Sequence, residues 1–327
     1  MDFGMPTLVE LATTEQNAAL CAELGLQFVE LNMNLPEYAD VVGIDRALLR
    51  RLSSQYGVYF TLHLDERMDV CDFNPLVRTA YLDTMRRALE LAGELNMPIL
   101  NLHLSSGVYF TLPDRKVWLY EQQSSAFEGA LDAFRALVDA HCPPGARVCI
   151  ENTDGFAPFA QHGIERLLAS PNFGLTLDVG HMHAIADADA PFYAAHMDRL
   201  THMHLHDAAG KKNHLPLGAG ELNWREKIAL AEAHHARAVV EVKTPAALRD
   251  SVATLRFAGC LAVPEASRRS AQAKAVADGS RTRLLLFRRN GSDRKRFGLS
   301  LRTSQPGRLR APNPSSRRDR WGCTRKH

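Results

Sequence analysis

The chain has 327 residues, 46% hydrophobic and 23% charged, enough apolar material to bury a large core in one or two domains. Its formal net charge of +2 hides a split: residues 264–327 hold 18 of the 39 Lys+Arg but only 4 of the 37 Asp+Glu, leaving the body 1–263 near −12 and the tail near +14. The absence of any run of about 18 apolar residues excludes a helical membrane span, and six cysteines without CxxC spacing exclude a metal knuckle and read as reduced thiols.

The opening stretch, MDFGMPTLVELATTEQ, has acidic residues and no basic region ahead of an apolar run. No signal peptide is therefore expected, and a cytoplasmic location is. Eight short apolar, β-branched or aromatic runs follow in order: MPTLVEL (5–11), FVELN (28–32), VYFTLHL (58–64), PILNLHL (98–104), VCIEN (148–152), GLTLDVG (174–180), THMHLH (201–206) and AVVEVK (238–243). Each precedes a longer stretch with helical period. In the third of these stretches Asn74 is placed as N-cap and Pro75 as the first helical residue, with Leu82, Met85, Leu89 and Ala92 recurring on one face. The fourth puts Phe127, Leu131, Phe134 and Val138 together, and an eighth, roughly 245–257, covers the last strand. Strict alternation predicts a parallel sheet of the α/β class, and eight units in about 260 residues predict a closed (β/α)8 TIM barrel rather than an open doubly wound sheet.

The tail from residue 264 is rich in Arg, Ser, Gly and Pro, with one apolar cluster at Leu284 to Phe287. It buries too little apolar surface to offset its ordering entropy, so a basic, low-complexity, disordered segment is expected. Its cations suit nonspecific contact with nucleic acid or acidic lipid. An incidental extension is the preferred reading of the two.

No GxGxxG or GxxxxGK[ST] follows a strand, and no GxSxG occurs, which weighs against dinucleotide, P-loop and nucleophile-elbow chemistry. Active sites of closed βα barrels collect at the C-terminal strand ends. There the sequence places Glu30, His63, His103, Glu151, Asp178 with His181 three residues on, His204 and Glu241, on seven of the eight strands. Singly, each is more often an ordinary hydrogen-bonding residue. Together they crowd carboxylates and imidazoles into one cleft, a costly arrangement that a divalent cation relieves. Mixed His and carboxylate ligands suit Zn²⁺, Mn²⁺ or Co²⁺, with Mg²⁺ disfavoured as imidazoles increase.

His202, His204 and His206 share the two-residue strand period and so face one side at different depths. Only one can lie level with Glu151 and Asp178. His204 is expected there, with His202 deeper and His206 at the rim or already in the loop. His214 falls in the following GKKNHLPLGAG, a composition suited to a lid over phosphate or sugar; a solvent-exposed loop histidine is an even alternative.

The series Glu30-Leu-Asn, His63, LHLSSG (102–107), IENT (150–153), DVGH (178–181), HLHD (204–207), HLPLGAG (214–220) and VEVK (240–243) resembles the xylose isomerase-like TIM barrel superfamily. That group includes sugar isomerases and epimerases of the D-tagatose 3-epimerase type and the apurinic endonuclease IV type. The epimerase resemblance implies Glu151, Asp178, His204 and Glu241 as four ligands of one divalent metal. It also implies that Glu151 and Glu241 act as acid and base on opposite faces of a sugar or sugar phosphate. His181 is implied to bind substrate; Glu30, His63, His103 and His214 are further candidate substrate contacts from their positions at the strand ends and in the following loop. An Arg that such epimerases carry beyond the metal-binding His is absent here, so Lys211 or Lys212 would have to substitute.

The endonuclease resemblance implies a zinc-dependent phosphodiesterase acting on apurinic DNA with three metals, for which His63, His103 and Glu151 match the first site, Glu151, Asp178, His204 and Glu241 the second, and His181 and His214 part of the third. Against it, Lys212 replaces the Asp expected two residues before His214, and a body near −12 repels phosphates. A non-catalytic sugar-binding barrel is the third reading. Barrels of this kind often form homo-oligomers, though nothing in the sequence requires one.

Overall fold

The computed structural model describes residues 1–262. The basic segment, with its expected disorder and its nucleic-acid or lipid contacts, lies outside the described residues. Eight parallel strands close into a barrel: β1 (Phe3–Pro6), β2 (Phe28–Asn32), β3 (Tyr59–His63), β4 (Ile99–His103), β7 (Arg147–Glu151), β8 (Phe173–Asp178), β9 (Leu200–Leu205) and β12 (Arg237–Val240). The last pairs with the first, so the expected (β/α)8 TIM barrel is the fold. Two antiparallel hairpins leave the strand ends: β5 (Tyr109–Thr111) with β6 (Lys116–Trp118), and β10 (Asp207–Ala209) with β11 (Lys212–Leu215).

Seven strands begin within one residue of where the apolar runs put them. The first does not: β1 begins at Phe3 and ends at Pro6, ahead of most of MPTLVEL. The alternation of that run is misleading because Asn17 Oδ1 accepts the Leu8 N–H at 2.9 Å and turns the chain, burying Leu8 and leaving Val9 72% exposed. The last strand stops at Val240, one residue short of Glu241, whose N–H still donates to the Leu205 carbonyl at 3.0 Å.

The helices form for the reasons their sequences give. Asn74 accepts the Leu76 N–H and Pro75 opens the helix Pro75–Leu95, which buries Met85, Leu89 and Ala92; such a cap contributes about 1 kcal/mol. The helix Ser124–His141 buries Phe127, Leu131, Phe134 and Val138 on one face, each worth roughly 1.5–3 kcal/mol of apolar burial. Among the described residues no helix is long and apolar enough to cross a membrane.

Two features of the sheet position the site. Parallel register sets His103 beside Glu151 and Asp178 beside His204. Strand alternation then sends Met203 and Leu205 outward to the helices and His202 and His204 inward. Inside, Glu30, Thr61, Asn101, Glu151, Thr176, His202 and His204 are all buried, a polar layer where such barrels ordinarily stack Val, Ile and Leu.

Candidate metal centre

Four side chains from neighbouring strand ends meet at one atom, His204 Nδ1. Glu151 Oε1 lies 3.1 Å from it, Glu241 Oε2 3.2 Å and Asp178 Oδ2 3.8 Å. The opposite ring nitrogen, His204 Nε2, is 2.9 Å from Glu30 Oε1 and donates to it. With the proton on Nε2, the bare Nδ1 has three carboxylate oxygens within 3.8 Å. Glu241 Oε2 is buried and has no hydrogen-bond partner among the described residues. A lone pair and three anionic oxygens repel unless a positive charge sits among them. The residues therefore fit a divalent cation, with three hard carboxylates and one imidazole as its donor set.

Proton affinities report the same strain. Burial alone would raise the Glu151 carboxyl, but the charge of His204 and hydrogen bonds from His103, His204 and His63 hold it well below the usual carboxylate range. Glu241 is held low against burial by His204 and Lys243. His204 is pushed well above the ordinary imidazole value, because Glu151, Glu241 and Glu30 outweigh the effect of burial. Without a cation, protons balance the cluster.

Glu151 is the best-anchored member. Its Oε2 accepts from the Asn101 side-chain amide and lies 2.9 Å from His103 Nε2 and 3.5 Å from His63 Nε2. Asn101 is held in turn by the Thr176 hydroxyl at 2.6 Å. The His63 Nδ1–H donates to the Leu64 carbonyl at 2.8 Å, which leaves Nε2 facing Glu151. His63, His103 and Glu151 thus form a second group with metal-ligating geometry.

Asp178 ends β8 and caps the short helix Val179–Ala184, accepting the His181 N–H at 2.6 Å. His206 Nε2 donates to the same carboxylate at 3.1 Å, and His206 Nδ1 accepts the His214 backbone N–H at 2.9 Å. His206 does stand one residue past β9, as expected, but it is buried rather than at the rim. Gly180 makes this possible, since a Cβ there would run into the His206 ring.

Asp207 anchors the hairpin that follows, accepting the N–H groups of Ala208, Gly218 and Leu222 at 2.9, 2.8 and 3.0 Å. His214 arrives from it with a left-handed φ of 54°, its ring against His206 and its Nδ1 3.7 Å from Glu241 Oε2. Burial lowers His214 to about 4, so the ring is neutral. His181 Nδ1 lies 3.7 Å from Glu151 Oε1 and 3.6 Å from Asp178 Oδ2.

The structure thus gathers Glu151, Asp178, His204, Glu241, His63, His103, His181 and His214 at one end of the barrel. Glu30 lies beneath them, 2% exposed, with both oxygens occupied. Lys211 is exposed at the hairpin turn, and the lysine joined to the cluster is Lys243, 3.0 Å from Glu241 Oε1. Sequence reasoning missed Lys243, Asn101 and Thr176. VEVK did carry the first of these, two residues after Glu241, whereas nothing local marks the other two.

The family described as "Xylose isomerase-like TIM barrel" matches residues 18–258. Among curated proteins none matches. Solved structures that superpose include a D-tagatose 3-epimerase-like protein, at 20% identity and TM-score 0.63 over 79% of this chain and 97% of that one. The 3-keto-D-glucoside 4-epimerase from E. coli aligns at 18% and 0.61, covering 79% and 99%. A probable 3-DHS dehydratase from Bacillus anthracis aligns at 13% and 0.58, covering 78% and 99%. At such identities the likeness establishes a common fold. With eight strands closed in one barrel and the family matched over most of its length, the chain belongs to the xylose isomerase-like TIM barrel family.

Proposed function

We propose that the chain is a divalent-metal-dependent sugar isomerase or epimerase that moves a proton through an enediolate. The observation that carries this reading is the convergence of two glutamates on one imidazole nitrogen. Glu151 and Glu241 each direct a single oxygen to His204 Nδ1, at 3.1 and 3.2 Å, from strands that are not neighbours in the barrel. Two carboxylates sharing one cation would have their proton affinities separated, so that one, ionised, takes a proton from carbon and the other, protonated, returns one.

Glu151, Asp178, His204 and Glu241 would hold the cation, with Mn²⁺, Co²⁺ or Zn²⁺ suited to this donor set. Bound there, it would supply a positive centre for a carbonyl and its neighbouring hydroxyl, stabilising negative charge as that develops on oxygen. The remaining work belongs to side chains. One glutamate takes the proton from the carbon beside the carbonyl, the C–H electron pair entering the enediolate double bond. The other returns a proton to complete the inversion or the isomerisation. His63, His103, His181 and His214 ring the same mouth and offer hydrogen bonds to sugar hydroxyls, and Lys243 and Lys211 offer positive charge to a phosphate. The epimerases among the similar structures support a sugar substrate.

A second reading has one observation in its favour. The Leu64 carbonyl fixes the His63 proton on Nδ1, so His63, His103 and Glu151 are arranged for a second cation, as a phosphodiesterase on apurinic DNA would require. Elemental analysis of protein purified without chelator separates the two, with one metal per chain expected. Solvent deuterium should enter ketoses at the carbon beside the carbonyl. Replacing Glu151 or Glu241 by Gln should cut that exchange by roughly 10²–10⁴-fold while reducing metal content far less. Two metals per chain without any exchange would overturn the isomerase reading.

A further inference from the structure

We infer that Glu30 is a positioning residue that sets which nitrogen of His204 faces the centre. The inference rests on the metal-centre reading above. Glu30 sits at the third position of β2, across the barrel interior from β9, and its carboxylate is shared by two histidines. Oε1 accepts from His204 Nε2 at 2.9 Å, and Oε2 accepts from His202 Nε2 at 2.9 Å and from the Thr61 hydroxyl at 3.0 Å. Glu30, Thr61, His202 and His204 are each no more than 2% exposed.

A substrate hydroxyl has no route to either oxygen. Packing alone does not call for a carboxylate here either, since an aliphatic side chain fills a barrel interior without the cost of burying a charge. The donor count explains what offsets that cost: three hydrogen bonds to an ionised acceptor, two of them from imidazoles. Because His202 and Thr61 hold Oε2, the carboxylate cannot turn about its terminal torsion, and Oε1 stays under His204 Nε2. His204 must then carry a proton on Nε2 and present the Nδ1 lone pair to Glu151, Asp178 and Glu241. The HMH spacing of residues 202–204 is thereby accounted for, with the deeper histidine steadying the carboxylate that steadies the shallower one.

The probe is Zn²⁺, added to the full chain with ¹⁵N-labelled histidine. In the wild type the ¹⁵N shifts should show His204 ligating through Nδ1 with its proton on Nε2. Ligation through Nε2 would overturn the inference without any variant. Glu30→Gln keeps the shape but offers only one acceptor oxygen, which the two donors His202 and Thr61 hold, so His204 Nε2 faces the amide NH₂ and loses its acceptor. Zn²⁺ affinity should fall about 10–100-fold, with the His204 signals shifted away from the Nε2–H pattern. A Glu30→Gln protein that binds Zn²⁺ within about twofold of wild type, with His204 unchanged, would refute the positioning role. A wild type that binds no Zn²⁺ would sink the metal-centre reading itself, which is a separate failure.

Discussion

His63 shows at the scale of one residue what the cluster demands. Burial would lower its imidazole, yet the hydrogen bond and charge of Glu151, reinforced by Glu30, raise it from 6.5 to about 9. A group whose folded-state value is raised contributes its full stabilisation below 6.5 and loses it as pH climbs through about 9. For His63 the contribution is about 3 kcal/mol, and His204 shifts in the same direction. A bound cation would take over the task of these protons, and rising pH then removes its competitors. Chelator-treated protein should therefore melt at a lower temperature at pH 9 than at pH 6, and Mn²⁺ should shrink or reverse the difference. Melting curves at the two pH values, with and without Mn²⁺, measure this; a chelated protein with equal melting temperatures would contradict the charge balance described. The strand-end residues could be read from the sequence because a barrel brings all its strand ends to one axis. Asn101, which orients Glu151, could not: an Asn in the middle of PILNLHL looks like any strand residue until register places Glu151 beside it. Glu30 was legible as a member of the cluster, but its depth, and hence its partners, depend on the barrel's three-dimensional closure.

At the scale of elements, capping and apolar period located the helices well, since Asn74 with Pro75 and the Phe127 stripe state local preferences that the barrel does not override. Hairpins were less legible. The segment before Trp118 and the turn at Lys211 are short, and their pairing serves the strand ends they leave rather than a core of their own. Gly180 shows how an element boundary serves the site. It lies in the helix Val179–Ala184, where alanine would gain about 1 kcal/mol of helix propensity. Its missing Cβ is instead the space the His206 ring fills while donating to Asp178. Gly180→Ala should therefore destabilise the fold by about 1–3 kcal/mol despite the better propensity, because the ring must leave Asp178 or strain the helix. Urea denaturation gives the sign directly. A stabilised Gly180→Ala would mean that the ring has room to spare and that Asp178 does not depend on it.

For the whole molecule, the question is whether the barrel is complete before the basic segment begins. The helix Pro245–Phe257 packs back on the barrel through Leu248, Val252 and Leu255, all fully buried. Arg256 donates to the Leu24 carbonyl at 2.8 Å, and Arg249 pairs with Glu23 at 2.5 Å, tying the last described helix to the first. The pairing of β12 with β1 closes the ring within these residues. The two parts also differ in polymer character, near −12 against near +14. On that basis a chain ending at residue 262 should keep the metal content and the deuterium exchange of the full chain within about twofold. Any binding to a polyanion such as duplex DNA should then be confined to the full chain and fall with salt, since clustered cations bind by releasing counterions. Titrations at two salt concentrations on both chains decide the point. A shortened chain that loses its metal would show that the barrel needs the segment beyond it, and the division near residue 263 would have to be abandoned.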